Sequence, residues 1–92
     1  MIKSFRHAGL EKFFLTGSKA GIVPDHARRL TIQLSALNVA SRPEEINQPG
    51  WDWHPLQAGL AGHFAIKVNK NWRLTFVFEG EDAVLTDYQD YH

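Results

Sequence analysis

Two hydrophobic periods divide the chain near residue 50. Over residues 8–15, Leu10, Phe13 and Phe14 recur at helical spacing with polar residues between them, which predicts a helix stopped by Gly17. Gly21 and Pro24 open a second helix, in which Ala27, Leu30, Leu34 and Leu37 form one stripe while Arg28 and Arg29 face away. That stripe reads as core rather than as a dimer seam. Ser41, Arg42, Pro43 and Glu44 carry the capping-box pattern and predict a single helical turn, ended by Pro49 and Gly50. Beyond it the period becomes two. Phe64, Ile66 and Val68 alternate with His63, Ala65 and Lys67, and Trp72, Leu74, Phe76 and Phe78 alternate with Arg73, Thr75 and Val77. Residues 69–71 and 79–82 read as turns, residues 83–88 as a last strand, and residues 2–5 as a short apolar strand at the start.

Helices first and then a meander of strands is an α+β pattern: one small domain over residues 1–92, with two amino-terminal helices on one face of an antiparallel sheet. The helices should cover Phe64, Ile66, Val68, Trp72, Leu74, Phe76 and Phe78. The other face should then show His63, Lys67, Arg73 and Thr75 to solvent.

Composition narrows the function classes. The 92 residues are 43% hydrophobic and 22% charged, ordinary for a globular domain, and contain no cysteine, which removes disulfides, thiolate zinc sites and a Cys nucleophile together. The longest charge-free stretches, such as residues 30–41, fall short of the ~18 apolar residues of a membrane span, so the expectation is a cytoplasmic protein without membrane contact. The formal net charge is +0, which by itself argues against a partner that is a polyanion. That zero hides opposed ends. Residues 1–73 hold all ten Lys and Arg with five acids, a net of +5, and residues 74–92 hold the other five acids and no base.

Three segments carry candidate chemistry. Trp51-Asp52-Trp53-His54-Pro55-Leu56 delivers a histidine at the mouth of a loop containing Gly59 and Gly62; Asn71-Trp72-Arg73 sets an arginine just after a turn; and Asp87-Tyr88-Gln89-Asp90-Tyr91-His92 ends the chain. Metal-free phosphodiester cleavage needs a base for the nucleophile, an acid for the leaving oxygen and a cation for the phosphoryl charge. Imidazole suits the first two, because its ordinary pKa of ~6.5 lies near operating pH. Arginine suits the third, with a planar fork that matches two phosphate oxygens. Asp90 can orient an imidazole or act as a base, and Tyr91 can donate a hydrogen bond or stack on a nucleobase. Plain readings stand beside these. His54 can be a half-buried histidine bonded to backbone, Arg73 a surface arginine paired with Asp87 or Asp90, and His7, His26 and His63 surface or capping residues. No metal-ligand spacing links His54, His63, Asp90 and His92, and no cofactor is expected.

Taken in order, residues 1–5, His54-Pro55-Leu56, Gly62, Asn71-Trp72-Arg73-Leu74-Thr75-Phe76, Asp82-Ala83 and residues 87–92 resemble the HigB toxins, the killer components of type II toxin–antitoxin systems within the RelE-like superfamily. The resemblance spans the whole chain. It implies an endoribonuclease that cuts messenger RNA in the ribosomal A site, without metal, using the RNA's own 2′-hydroxyl as nucleophile. On this sequence His54, Arg73, Asp90, Tyr91 and His92 would form the catalytic set, with Arg73 on the phosphorane charge and His92, Asp90 and His54 as candidates for proton transfer. The implied partners are a HigA-like helix-turn-helix antitoxin, the ribosome with its 16S rRNA, and messenger RNA, with DNA met only through the antitoxin. One departure stands out. The family usually continues His-Pro-Leu with Lys-Gly-Asp, and its lysine is a functional position; here the loop reads Gln57-Ala58-Gly59. Gln57 then takes the substrate position without a charge, and Lys67 and Lys70 are the cations that would replace it. The runner-up is an attenuated or non-cleaving toxin-like module that binds an antitoxin-like repressor.

Overall fold

The computed structural model describes residues 1–90. Helix α1 covers Ala8–Thr16, α2 covers Ala27–Val39, and strands β1 (His54–Pro55), β2 (Phe64–Lys67), β3 (Trp72–Glu79) and β4 (Asp82–Asp90) follow. The strands form one antiparallel sheet in chain order, β1-β2-β3-β4. The α+β expectation holds. Each end of α1 has its own stop: the His7 side chain accepts the Leu10 N–H at 2.9 Å, and Gly17 closes the helix at φ +79°, where a side chain would be strained. Pro24 begins a 3-10 turn that runs into α2, as its fixed φ and missing N–H favour. Between the helices Gly9 and Gly21 touch: a Cβ on Gly9 would sit 2.6 Å from the Gly21 carbonyl oxygen, so both positions must stay bare.

The helical stripe and the even-numbered strand residues meet in the core. Leu10, Leu30, Leu37, Ile46, Ile66, Leu74 and Phe76 are fully buried. Phe64, Trp72 and Phe78 are only partly covered and pack against that cluster. The turn after α2 forms at Pro43–Ile46, but the Ser41 N–H and hydroxyl are answered by the Glu45 carboxylate, not by Glu44. Arg29 does not face away. Its guanidinium reaches the carbonyls of Lys67 and Gly50, and Gln33 beside it donates to the same Lys67 carbonyl at 2.8 Å, which ties α2 to the end of β2.

Residues 2–5 give two isolated parallel bridges, Ile2 with Ala83 and Phe5 with Thr86, instead of a continuous strand. The interruption has a cause in β4. Thr75 pairs with Asp87 but Val77 with Val84, a register shift that leaves Leu85 and Thr86 opposite Phe76, with Leu85 at φ +54°. The displaced Leu85 N–H is satisfied by the Ser4 hydroxyl at 2.8 Å. This bulge switches the parity of β4, so Ala83 enters the core beside Ile2 while Asp87 and Gln89 join the face opposite the helices.

Candidate active site

The face away from the helices is organised in rows. Pairing places His54, Ala65, Thr75 and Asp87 side by side across the four strands, and Lys67, Arg73 and Gln89 side by side in the next row toward the 69–71 turn. Strand spacing and rise put His54 and Arg73 about 12 Å apart at Cα, close enough for both side chains to converge on one phosphodiester. Ala65 and Thr75 are the floor between them. Thr75 was expected in solvent and is 1% exposed, a short side chain among taller polar neighbours.

His54 is exposed and opens β1. Its Nδ1 lies 2.7 Å from the Asp52 carbonyl, which accepts only, so Nδ1 carries the proton and Nε2 keeps the chemistry. Asp52 reaches this position at φ +50°, a conformation that aspartate tolerates better than most residues. The plain reading of His54 as a half-buried histidine bonded to backbone is right about the bond and wrong about the burial, and that bond orients the exposed ring.

Arg73 is half-buried, and its Nε donates to Gln89 Oε1 at 3.1 Å. Gln89 in turn donates to Asp87 Oδ2 at 2.9 Å, and Asp87 Oδ1 accepts the Tyr88 N–H. Gln89 thus connects Arg73 to the Asp87 carboxylate, and sequence reading missed both Gln89 and its place in this chain. The signal was the shared period of Arg73, Asp87 and Gln89, which is readable only once the strand register is known.

The remaining candidates fall in different places. Lys67 is exposed at its pairing position across from Arg73. Lys70 is exposed in the 69–71 turn, and Gln57 is exposed at the start of the short 3-10 turn Ala58–Leu60. Ala58 there adopts φ +57°, the left-handed conformation suited to the glycine that the HigB pattern carries at this place. Asp90 is exposed at the end of β4 and pairs with Trp72, so strand alternation turns it to the side opposite Arg73 and Gln89. Tyr91 and His92 lie outside the described residues. Among the described residues no three His, Asp or Glu side chains gather where they could hold a metal ion.

Two histidines differ from the surface roles expected of them. His63 is half-buried with both ring nitrogens shielded from solvent and unpartnered. His26 is 5% exposed, and its ring is bracketed by the Tyr88 hydroxyl at Nδ1 and the Asn69 carboxamide at Nε2. Burial lowers the His26 pKa, with the nearby Asp25 charge opposing, and burial raises that of Tyr88. His7 does cap a helix, as expected.

This architecture has relatives. Residues 3–92 match the family described as HigB-like toxin, the RelE-like toxin of type II toxin–antitoxin system HigB. Endoribonuclease HigB of Proteus vulgaris is 38% identical over 92 residues, covering all of both chains. The crystal structure of YafQ from E. coli strain BL21(DE3) shares the fold at a TM-score of 0.57, with 13% identity over 98% of this chain and 93% of that one. The family match over nearly the whole length and the full-length relative agree: the chain belongs to the HigB-like family of RelE-like toxins of type II toxin–antitoxin systems.

Proposed function

We propose that this chain is a ribosome-dependent endoribonuclease that cuts translated messenger RNA in the A site and is restrained by a HigA-like helix-turn-helix antitoxin. The toxin class and the endoribonuclease class come with the family. The ribosome with its 16S rRNA, the named antitoxin and a cytoplasmic site of action are the finer reading. No helix among the described residues is long and apolar enough to cross a membrane, which agrees with it.

The observation that carries the proposal is the row of Lys67, Arg73 and Gln89 beside His54 on the helix-free face. In the reaction, the 2′-hydroxyl loses its proton to a base and its oxygen bonds to phosphorus. The bond from phosphorus to the 5′-oxygen breaks, and an acid protonates that oxygen, leaving a 2′,3′-cyclic phosphate and a 5′-hydroxyl. Arg73 supplies charge to the phosphorane, where a positioned donor acts most strongly. Gln89, itself held by Asp87, fixes the Arg73 Nε, and Lys67 adds a second cation in the same row. His54 offers Nε2 for proton transfer, and Tyr91 and His92 are the other members of the proposed catalytic set; Asp90, on the side of β4 opposite Arg73, would contribute only from the end of the strand. Gln57 and Lys70 flank the substrate path. The reaction so written draws on no metal or cofactor.

A second reading, an attenuated toxin-like module that binds its antitoxin and barely cleaves, is favoured by the uncharged Gln57 and by the strained Ala58 beside it. Induced expression of the wild type and of His92→Ala, with 5′-end mapping of messenger RNA, separates the two. Growth arrest and 5′-hydroxyl cuts within translated messages, both lost in His92→Ala, are expected. No arrest and no cuts from the wild type would sink the enzyme reading and leave the antitoxin-binding module.

A further inference from the structure

On the helix side of the sheet, edge-on to Trp72, His26 joins the two segments that deliver the candidate site. Tyr88 is the residue before Gln89 and Asp90, and Asn69 starts the turn that leads to Trp72 and Arg73. The His26 ring bonds both, and Trp72 closes the group, stacked on Tyr88 at 4.4 Å with the His26 ring edge-on at 5.8 Å. Asn69 also fixes the turn itself: its N–H donates to the Trp72 carbonyl and its Oδ1 accepts the Asn71 N–H at 3.1 Å.

We propose that His26 is a positioning residue, which through Tyr88 and Asn69 sets Arg73 and the end of β4 at their working separation. The inference rests on the reading of Arg73 as a member of the active site. His26 itself touches no substrate, because it is buried behind the sheet. The hydrogen bonds define its state. Asn69 Oδ1 is used by Asn71, so its amino group points at His26, and Nε2 must accept. Nδ1 then carries the proton and donates to the Tyr88 oxygen, which also receives the Val23 N–H at 3.3 Å. Only a neutral ring fits, since a proton on Nε2 would face the Asn69 amino group. The charged and titratable groups around it are Asp25 on its own turn, Tyr88 on β4 and, across the Tyr88 ring at 5.3 Å, His7 at the start of α1.

The test compares wild type, His26→Leu, Tyr88→Phe, His26→Gln and Arg73→Ala. The readouts are messenger-RNA cleavage on programmed ribosomes, thermal unfolding, and solvent exchange of the Arg73 Nε–H by NMR in the isolated toxin. His26→Leu and Tyr88→Phe should lower kcat about ten- to a hundredfold, as expected for displaced reacting groups, with KM within about twofold. Both should speed Arg73 Nε–H exchange, and His26→Gln, whose carboxamide can both donate and accept, should recover most of the loss. Wild-type kcat and unchanged Arg73 exchange in His26→Leu and Tyr88→Phe would overturn the proposal, as would losses that only track the unfolded fraction. Arg73→Ala separates the two levels. If it is inactive the site reading stands whatever His26 does, and if it cleaves normally that reading falls while the exchange data still judge the reach of His26.

Discussion

Along β3 the side chains alternate between two surroundings. Leu74 and Phe76 are fully buried beneath the helices, and Trp72 packs against the same cluster. Arg73 between them is half-buried on the opposite face and wired through Gln89 to Asp87. One side is held by removal of apolar surface from water, the other by directed polar contacts around a floor of Ala65 and Thr75. Neighbours in sequence therefore differ in what they do: the helix side sets whether the chain folds, and the other side carries the polar groups of the proposed active site.

The sharpest way to break this division is to mutate adjacent residues. Leu74→Ala should cost about 2–5 kcal/mol by transfer and cavity, read as a melting temperature lowered by roughly 10 °C or more, with cleavage per folded molecule unchanged. Arg73→Ala should do the reverse, losing about 10²–10³-fold in kcat/KM while melting within a few degrees of wild type. A large loss of stability in Arg73→Ala, or of chemistry in Leu74→Ala, would blur the two faces into one. Gly9→Ala is the next largest. Its methyl meets Gly21 backbone at 2.6 Å, so an overpacking cost of about 1–3 kcal/mol should appear in urea unfolding and leave kcat alone.

Changes in the 57–59 loop are smaller and more informative about strength. On the proposed substrate role of Gln57, Gln57→Lys would add one charged contact to phosphate, worth on the order of 1.5 kcal/mol, and should raise kcat/KM roughly tenfold. Ala58→Gly should stabilise by about 0.5–1 kcal/mol through relief of the positive φ, checked by thermal unfolding. The smallest effect concerns pH. His26 has its folded pKa lowered, so the unfolded chain takes up this proton first as pH falls below 6.5, and stability should decline from there toward the folded value. His26→Gln should show a shallower decline in urea midpoint between pH 7 and pH 5, and identical slopes would contradict it.

Much of this division was legible in the chain itself. The helical stripe of Leu30, Leu34 and Leu37, the stop at Gly17 and the two-residue period of β2 and β3 follow from burial and backbone freedom, which act locally. What was not legible depends on pairing between distant segments. Residues 83–88 show no clean alternation, because the bulge at Leu85 changes which face each residue meets. Without that register, Asp87 and Gln89 cannot be assigned to the side of Arg73. His26 gave no sign of burial either, since its partners Tyr88 and Asn69 lie 62 and 43 residues away. The orientation of His54 rests on a backbone carbonyl, and no side chain advertises it.

The bridges from residues 2–5 to β4 have a consequence for the order of folding. Met1, Lys3, Ser4 and Arg6 bond across to Ala83, Leu85 and Thr86, so these two segments must find each other across most of the described chain, with Ser4 and Leu85 81 residues apart. Such closure is slow, because the entropy of an eighty-residue loop is lost before any contact rewards it. The same strand, β4, carries Gln89 and Asp90. The helices and the β2–β3 hairpin can therefore form before β4 brings Gln89 beside Arg73, so the helix-free face is completed late in folding.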